Sequence, residues 1–188
     1  MAHHNPVEQK KARAWAQHMI EGDVVIIDFE TTGFNDAEIV QIGAVNQDGE
    51  ILMNTLVKPT EPIPYQATKV HGITDAMVAD APPFKEIYVK LSVLLAGKTA
   101  IAFNADFEKK MIVSVCKRHS LPLIKPAQWD CAMKTYARFK GDWNPRKRSY
   151  TWHSLSNACL QQKVAVINAH NAIGDCLMTL KLIEAMAK

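Results

Sequence analysis

The chain has 188 residues, of which 48% are hydrophobic and 22% charged, a composition that fits one globular domain with a sizeable core. Its formal net charge of +3 permits an anionic partner without requiring one. The sequence has no secretory signal, no apolar run of the ~18 residues that span a bilayer, and no C-x-x-C pair among its cysteines, so we expect a soluble cytoplasmic protein with reduced thiols and exclude the membrane-spanning and zinc-finger classes.

An amphipathic helix opens the chain. Apolar residues recur at helical spacing from Pro6 to about Glu21, and Gly22 and Asp23 then stop the pattern. We therefore divide the chain into an N-terminal helical extension, residues 1–22, and a single domain that spans residues 23–188.

Three strands follow this helix. The run Val24–Ile27 is continuous and β-branched, which indicates a central strand buried on both faces of a sheet. Ile39–Val45 and Ile51–Val57 are two further strands, and the polar segment Asn46–Gly49 between them has the composition of a hairpin turn. A proline-containing stretch comes next, before a turn and helix cap at His71–Asp75.

The second half of the chain alternates helices with short strands. Three strands with a hairpin, followed by such an alternation, predict a mixed sheet covered by helices. The predicted segments are a helix at Phe84–Ala96, a strand at Thr99–Phe103, a helix at Ala105–His119, a short strand ending at Trp129, a helix at Cys131–Phe139, a basic loop at Lys140–Ser149, and helices at Trp152–Gln161 and Ala172–Ala187.

Two carboxylates lie where the first strand is predicted to end. Asp28 and Glu30 are two residues apart, so on a strand their side chains share one face, ~6.6 Å apart along the chain. Such a pair repels and loses hydration unless a cation lies between the two groups. Two solvated acids at an exposed strand end are also common, and it is the Thr31-Thr32-Gly33 sequence that follows which strengthens the functional interpretation.

Two later clusters also carry acidic residues. His170 precedes the last predicted helix and Asp175 lies about one turn into it, so a titratable base and a carboxylate meet at one helix entrance. The segment Phe103–Glu108 runs from a strand into a helix with acids in its first turn, where carboxylates also complement the helix dipole. Each cluster alone has an ordinary surface explanation, and it is their order along the chain that is informative.

The order D-x-E-T-T-G, N-A-x-F-acid and H-x4-D resembles the DEDDh exonucleases, the family of the proofreading ε subunit of bacterial DNA polymerase III and of RNase T. The resemblance covers roughly Val24 to Leu182 and includes the His71-Gly72-Ile73-Thr74 turn. It implies an RNase H-like α/β fold, a mixed five-stranded sheet flanked by helices. It also implies a 3′–5′ exonuclease that hydrolyses phosphodiester bonds at free 3′ ends of single-stranded DNA or RNA and releases 5′-mononucleotides.

The resemblance further implies roles for individual residues. Two Mg²⁺ or Mn²⁺ ions would be held by Asp28, Glu30, Asp175 and Glu108, with Asp28 bridging both, and no small-molecule cofactor would be needed. His170 would be the general base that deprotonates the attacking water. The expected substrate contacts come from Thr31, Thr32, Phe34, His71, Ile73 and Asn104, although Phe34 and Ile73 are equally expected as core residues.

One departure leaves the fourth acid open. The family usually has Asp after N-A-x-F, whereas this chain has Glu108, with Asp106 two residues earlier. On a helix the two are separated by about 200°, so both cannot face the metals. We expect Glu108 to serve, because it adjoins the apolar face of its helix, and we keep Asp106 as the rival.

The sequence leaves open the catalytic activity, the role of the basic loop and the type of nucleic acid. The chain could be a nucleic-acid-binding module of the same fold with impaired catalysis, while an endonuclease of this fold class fits the His170–Asp175 pair poorly. The basic residues and Trp143 of the Lys140–Ser149 loop suit either a strand-binding groove or a solvated loop. Nothing chooses DNA over RNA, and the chain resembles a stand-alone trimming or repair nuclease.

Overall fold

The structure, a computed structural model, describes residues 5–167 and 170–188. Within these ranges the chain alternates helices with the strands of one main sheet and adds a small two-stranded hairpin. The elements in order are α1 Pro6–Glu21, β1 Val24–Thr31, β2 Ile39–Val45, β3 Ile51–Leu56, α2 Tyr65–His71, α3 Asp75–Val78, α4 Phe84–Leu95, β4 Thr99–Ala102, α5 Ala105–Arg118, β5 Gln128–Cys131, α6 Ala132–Lys140, β6 Trp143–Asn144, β7 Ser149–Tyr150, α7 Leu155–Gln161 and α8 Ala172–Ala187.

The main sheet has five strands in the order β3-β2-β1-β4-β5. The β1–β2 and β2–β3 pairs are antiparallel, whereas β4 pairs parallel to both β1 and β5. This arrangement confirms the predicted mixed sheet of five strands flanked by helices. It places β1 at the centre, as its continuous apolar sequence requires.

Helices cover both faces of the sheet. Alternate residues of β1 point to opposite sides, so Val24 and Ile26 join a core with α1, α6, α7 and α8. Val25, Ile27 and Phe29 join a second core with α4 and α5. By the same alternation Asp28 and Glu30 lie on the side of the sheet that faces α8.

The N-terminal helix α1 is part of the first core. Ala12, Ala16 and Met19 are buried there among residues of α6 and α8. The division of the chain into residues 1–22 and 23–188 stays a prediction. Among the described residues, no helix combines the length and the hydropathy that crossing a lipid bilayer requires.

Five local predictions need correction, and the first is that strand β5, expected to end at Trp129, continues to Cys131. Strand β1 continues through Asp28 and Glu30 to Thr31, so both acids lie within the strand. The helix α2 was missed, because it buries no residue and its sequence therefore has no apolar period. Helix α7 begins at Leu155, because the hydroxyl of Ser154 caps it. The predicted loop after α6 contains the short β6–β7 hairpin.

Candidate metal centre and active site

Four carboxylates converge beside the central strand. Asp28 and Glu30 on β1 and Asp175 in the first turn of α8 each offer an oxygen that lies within 4.8 Å of the others. Glu108, in the first turns of α5, is close enough to this group that the charges of Asp28 and Glu30 raise its pKa. The structure thus brings Asp28, Glu30 and Asp175, three of the four acids that the resemblance implies as metal ligands, within reach of one cation, with the fourth, Glu108, buried beside them.

The first residues of α8 pack directly against strand β2, and this contact sets the position of Asp175. Gly43 pairs with Asp28 in the β1–β2 ladder, and a Cβ atom at Gly43 would lie 2.5 Å from the carbonyl carbon of Ala172. The backbone N–H of Ala172 donates to Oε1 of Gln41 at 3.2 Å, and Sγ of Cys176 donates to the carbonyl of Gly43 at 3.3 Å. The glycine therefore permits close contact, and the glutamine fixes it by a buried hydrogen bond.

The electrostatics of the cluster favour protons or cations over bare negative charge. Burial, with Asp175 and Glu30 nearby, raises the pKa of Asp28 well above its usual range. Burial and the charge of Asp175 raise the pKa of Glu30 to about 7. Burial also raises the pKa of Asp175. Like charges held this close and removed from water destabilise one another, and bound cations relieve that cost.

Glu108 and Asp106 occupy opposite environments. Glu108 is 3% exposed, and within the described part of the chain its Oε2 has no hydrogen-bond partner. Burial is the largest cause of the rise in its pKa. Asp106 is exposed on the outer side of α5, where it forms an ion pair with Lys134. The structure therefore brings Glu108, and not Asp106, to the other acids.

His170 lies at the entrance of α8, exposed to solvent. It has a left-handed backbone conformation with φ 66°, and its backbone N–H donates to Oδ1 of Asp175 at 3.4 Å. Burial is the main cause of the lowered pKa of His71, and the charge of His170 lowers that pKa further. An exposed imidazole beside the carboxylates is available to exchange protons with water.

The side chains of Thr31 and Thr32 form hydrogen bonds within the turn that follows β1. The hydroxyl of Thr31 donates to the carbonyl of Gly33 at 2.8 Å, and that of Thr32 accepts from the backbone N–H of Glu38 at 2.9 Å. These bonds hold the turn in shape beside Glu30. The expected contact of this turn with a 3′-terminal nucleotide stays a prediction.

The other expected substrate contacts differ in accessibility. Phe34 is 77% exposed and rests edge-on against Phe107, with ring centroids 5.9 Å apart. Ile73, in contrast, is 4% exposed and packs in a small core with Val40. Asn104 occupies the N-cap of α5, and its side chain makes no capping hydrogen bond to that helix. Of the two apolar residues, Phe34 is therefore the one with surface available to a base.

Sequence reasoning missed Gln41 and Gly43. Both lie in β2, whose seven residues are all buried, so each is an unusual residue for its place. A polar amide and a glycine inside an apolar strand are a sequence signal for a buried hydrogen bond and a close backbone approach. Their partner, α8, could not be identified without the fold.

Comparison with known proteins agrees with this geometry. Residues 25–183 match the family model for the exonuclease family of RNase T. The chain is 39% identical over 191 residues to the uncharacterized exonuclease CP81 of Escherichia phage 186, covering 98% of this chain and 96% of that protein. The structure of exonuclease X in complex with 5′ overhanging duplex DNA superposes with a TM-score of 0.66 at 30% identity, covering 87% of this chain and 90% of the other.

A more distant structure shares the fold. The nuclease domain of 3′hExo, a DEDDh family member bound to rAMP, has a TM-score of 0.70 at 19% identity and covers 85% of this chain and 88% of that one. Together with exonuclease X it confirms the predicted RNase H-like fold class.

Proposed function

This chain belongs to the exonuclease family of RNase T, and on that premise we propose that it removes nucleotides one at a time from the 3′ end of single-stranded nucleic acid. The observation that carries the proposal is the convergence of Asp28, Glu30 and Asp175, with oxygens within 4.8 Å of one another, beside the buried Glu108. Oxygen ligands on a rigid strand and two helix entrances suit the positioning that phosphodiester hydrolysis requires.

The residues of the cluster fit divalent cations. All four side chains supply hard carboxylate oxygens, the ligands that Mg²⁺ and Mn²⁺ prefer. The unpartnered Oε2 of Glu108 and the raised pKa values of Asp28 and Glu30 indicate groups that gain from a nearby positive charge. We propose that Asp28, Glu30, Asp175 and Glu108 hold two such ions. When bound, these ions would neutralise the charge of the scissile phosphate and acidify the attacking water.

His170 is the proposed general base. It would take a proton from the water whose oxygen forms the new bond to phosphorus, while the bond from phosphorus to the 3′ oxygen of the preceding nucleotide breaks. That oxygen is then protonated from solvent, and a 5′-mononucleotide leaves. The position of His170, exposed and directly beside Asp175, supports this role because it can exchange its proton with bulk water between turnovers.

The 3′-terminal nucleotide is proposed to lie against the turn after β1. Phe34 offers an exposed ring for stacking, which tolerates any base sequence. Backbone groups of Thr31 and Thr32 would contact the terminal hydroxyl, with His71, Ile73 and Asn104 around them. The relative exonuclease X has been captured with DNA, and for this chain we propose single-stranded 3′ ends of DNA or RNA as substrates.

A single-stranded oligonucleotide labelled at its 5′ end tests the proposal. In Mg²⁺ we expect a ladder of labelled products that shorten one nucleotide at a time, and in EDTA we expect intact substrate. The same assay with a DNA strand and with an RNA strand of equal sequence identifies the preferred sugar. Immediate release of a labelled mononucleotide would indicate the opposite direction, and tight binding without cleavage would favour a binding module with impaired catalysis.

A further inference from the structure

A groove with basic and aromatic walls lies between α1, α6 and the β6–β7 hairpin. Its volume is about 600 Å³, and none of the four metal-site acids lines it. Its walls include the cations Lys11, Lys134, Arg138 and Arg148 and the rings of Trp143 and Trp152. None of them has a role in the chemistry proposed above.

The hairpin presents cations at its turn. Oδ1 of Asn144 accepts from the backbone N–H groups of Arg146 and Lys147, at 3.0 and 3.1 Å, which holds the turn in shape. Arg146, Lys147 and Arg148 are exposed as a result. Within residues 5–167 and 170–188, no acidic side chain forms an ion pair with any of the three.

The groove as a whole carries excess positive charge. Among its described lining residues Glu8 is the one acid, against Lys11, Lys134, Arg138 and Arg148. Glu8 lies 3.0 Å from Lys11 and 4.0 Å from Arg138, so it neutralises part of the charge only. Lys134 is paired with Asp106, so Arg148 is the groove cation that has no acidic partner among the described residues.

Two tryptophan rings are left open to solvent along the groove. Trp152 is 61% exposed and Trp143 is 37% exposed, so neither is a core residue. Trp143 meets Tyr150 edge-on, with ring centroids 5.2 Å apart, which fixes its orientation. Rigid aromatic faces between cations are the combination that binds unpaired bases and their phosphates.

One end of the groove reaches the start of α5. Lys134 pairs with Asp106, and the backbone N–H of Met133 donates to the carbonyl of Phe103 at 2.9 Å. Glu108 lies on the opposite side of the same helical turns, so about one helix diameter, ~10–12 Å, separates it from Lys134 at this end of the groove. A nucleic-acid strand can therefore occupy both places at once.

We propose that this groove binds a single-stranded segment of the nucleic-acid substrate away from the terminus that is cleaved. Phosphates would contact Arg148 in the groove and Lys147, which lines the adjoining pocket together with Trp152, and bases would stack on Trp152. A duplex presents its phosphates but keeps its bases paired, so it would use the cations alone and bind more weakly. The link to cleavage rests on the proposed function, whereas the binding itself does not.

Binding in EDTA separates the groove from the chemistry. The probe is a fluorescein-labelled single strand of about 20 nucleotides, measured by anisotropy. We expect Lys147→Glu with Arg148→Glu to weaken binding at least about ten-fold and to lower the salt slope by roughly 1.4, the value for two lost phosphate contacts. The matched control is Lys90→Glu with Lys117→Glu, on exposed positions of α4 and α5, which should bind within about two-fold of wild type.

The aromatic contribution has its own variant and readout. Trp152→Ala should weaken single-strand binding by about five-fold or more and leave duplex binding unchanged. Both groove variants should reduce kcat/KM on the long strand while cleaving a dinucleotide at the wild-type rate. Equal binding by wild type and the charge variant, or equal losses by Trp152→Ala on duplex and single strand, would overturn the proposal. A wild-type protein without nuclease activity would refute the proposed function and leave the binding result standing.

Discussion

Gly43 and Ala172 are in such close contact that a Cβ atom on the glycine would lie 2.5 Å from the carbonyl carbon of the alanine. This contact joins the strand next to Asp28 with the helix that carries Asp175. The geometry of the acidic cluster therefore depends on a residue that bears no functional group. Gln41, whose amide accepts from the backbone of Ala172, supports the same junction.

Substituting this glycine should move the helix and with it the metal site. We expect Gly43→Ala to lower kcat at least about ten-fold and to cost roughly 1–3 kcal/mol of stability, because backbone atoms of Ala172 and Ile173 must give way. Steady-state kinetics and thermal unfolding measure the two effects. Leu91→Ala, on the buried face of α4, is the control. It should lose roughly 2–5 kcal/mol of folding stability and keep the wild-type kcat. Equal kcat in both variants would contradict the positional role.

The choice of fourth acid is open to a paired substitution. Glu108→Gln should reduce turnover by about 10²-fold or more, because it removes one negative charge from the proposed metal site. Asp106→Asn should leave kcat near the wild-type value, since its carboxylate pairs with Lys134 on the outside of α5. Single-turnover rates with saturating enzyme compare the two variants. The reverse pattern would make Asp106 the functional acid.

The proposed base predicts a rate defect without a binding defect. His170→Ala should lower kcat by roughly 10²–10⁴-fold and leave KM within a few-fold of the wild-type value. His18→Ala, at an exposed position of α1, is the matched control and should behave as wild type. Near-normal turnover of His170→Ala would remove this residue from the mechanism.

The raised pKa of Glu30 predicts that its ionised form, which the proposed metal site uses, destabilises the metal-free protein. In the folded protein without metal this pKa is about 7 instead of 4.5, so the native state binds the proton more tightly than the unfolded state does. The contribution of Glu30 to stability is therefore fully present below about pH 4.5 and is lost as pH rises through about 7, a change of roughly 1–3 kcal/mol.

Removing the negative charge of Glu30 should restore the stability that is lost as pH rises. In EDTA at about pH 8, Glu30→Gln should unfold at a higher temperature than wild type, with little difference at about pH 5. Adding Mg²⁺ at the higher pH should raise the melting temperature of wild type more than that of the variant. Scanning calorimetry at both pH values provides the comparison. A less stable variant in EDTA at the higher pH would show that the carboxylate is not strained by its neighbours.

Much of the sheet could be predicted from local sequence, because strand signals are local. The apolar run Val24–Ile27 and the hairpin from Ile39 to Val57 could be recognised without any partner; β2 and β3 lie where expected, and β1 continues four residues further to Thr31. Helix α2 was not predictable in this way, since it lies on the surface with no buried residue. The β6–β7 hairpin was missed for a similar reason, because two-residue strands have no period to detect.

The acidic cluster was predictable only in part. The spacing of Asp28 and Glu30 indicated one pair of acids, and the resemblance to the DEDDh exonucleases supplied Asp175 and Glu108. The burial of Glu108 and the exposure of Asp106 depend on where α5 packs, which the sequence indicated only through the adjacent apolar face. The contact of Gln41 with Ala172 joins residues 131 positions apart, and no local pattern contains it.

The most direct test of the central claim counts metal ions at the cluster. The protein is loaded with Mn²⁺ and with a single strand whose 3′-terminal linkage is a phosphorothioate that resists hydrolysis. Electron paramagnetic resonance then measures the number of bound Mn²⁺ ions and the coupling between them. For the wild-type protein we predict two spin-coupled Mn²⁺ ions per chain. For Asp28→Asn we predict no more than one bound Mn²⁺ ion and no cleavage of an ordinary strand. Wild-type protein without coupled Mn²⁺, or Asp28→Asn with wild-type cleavage, would contradict the account.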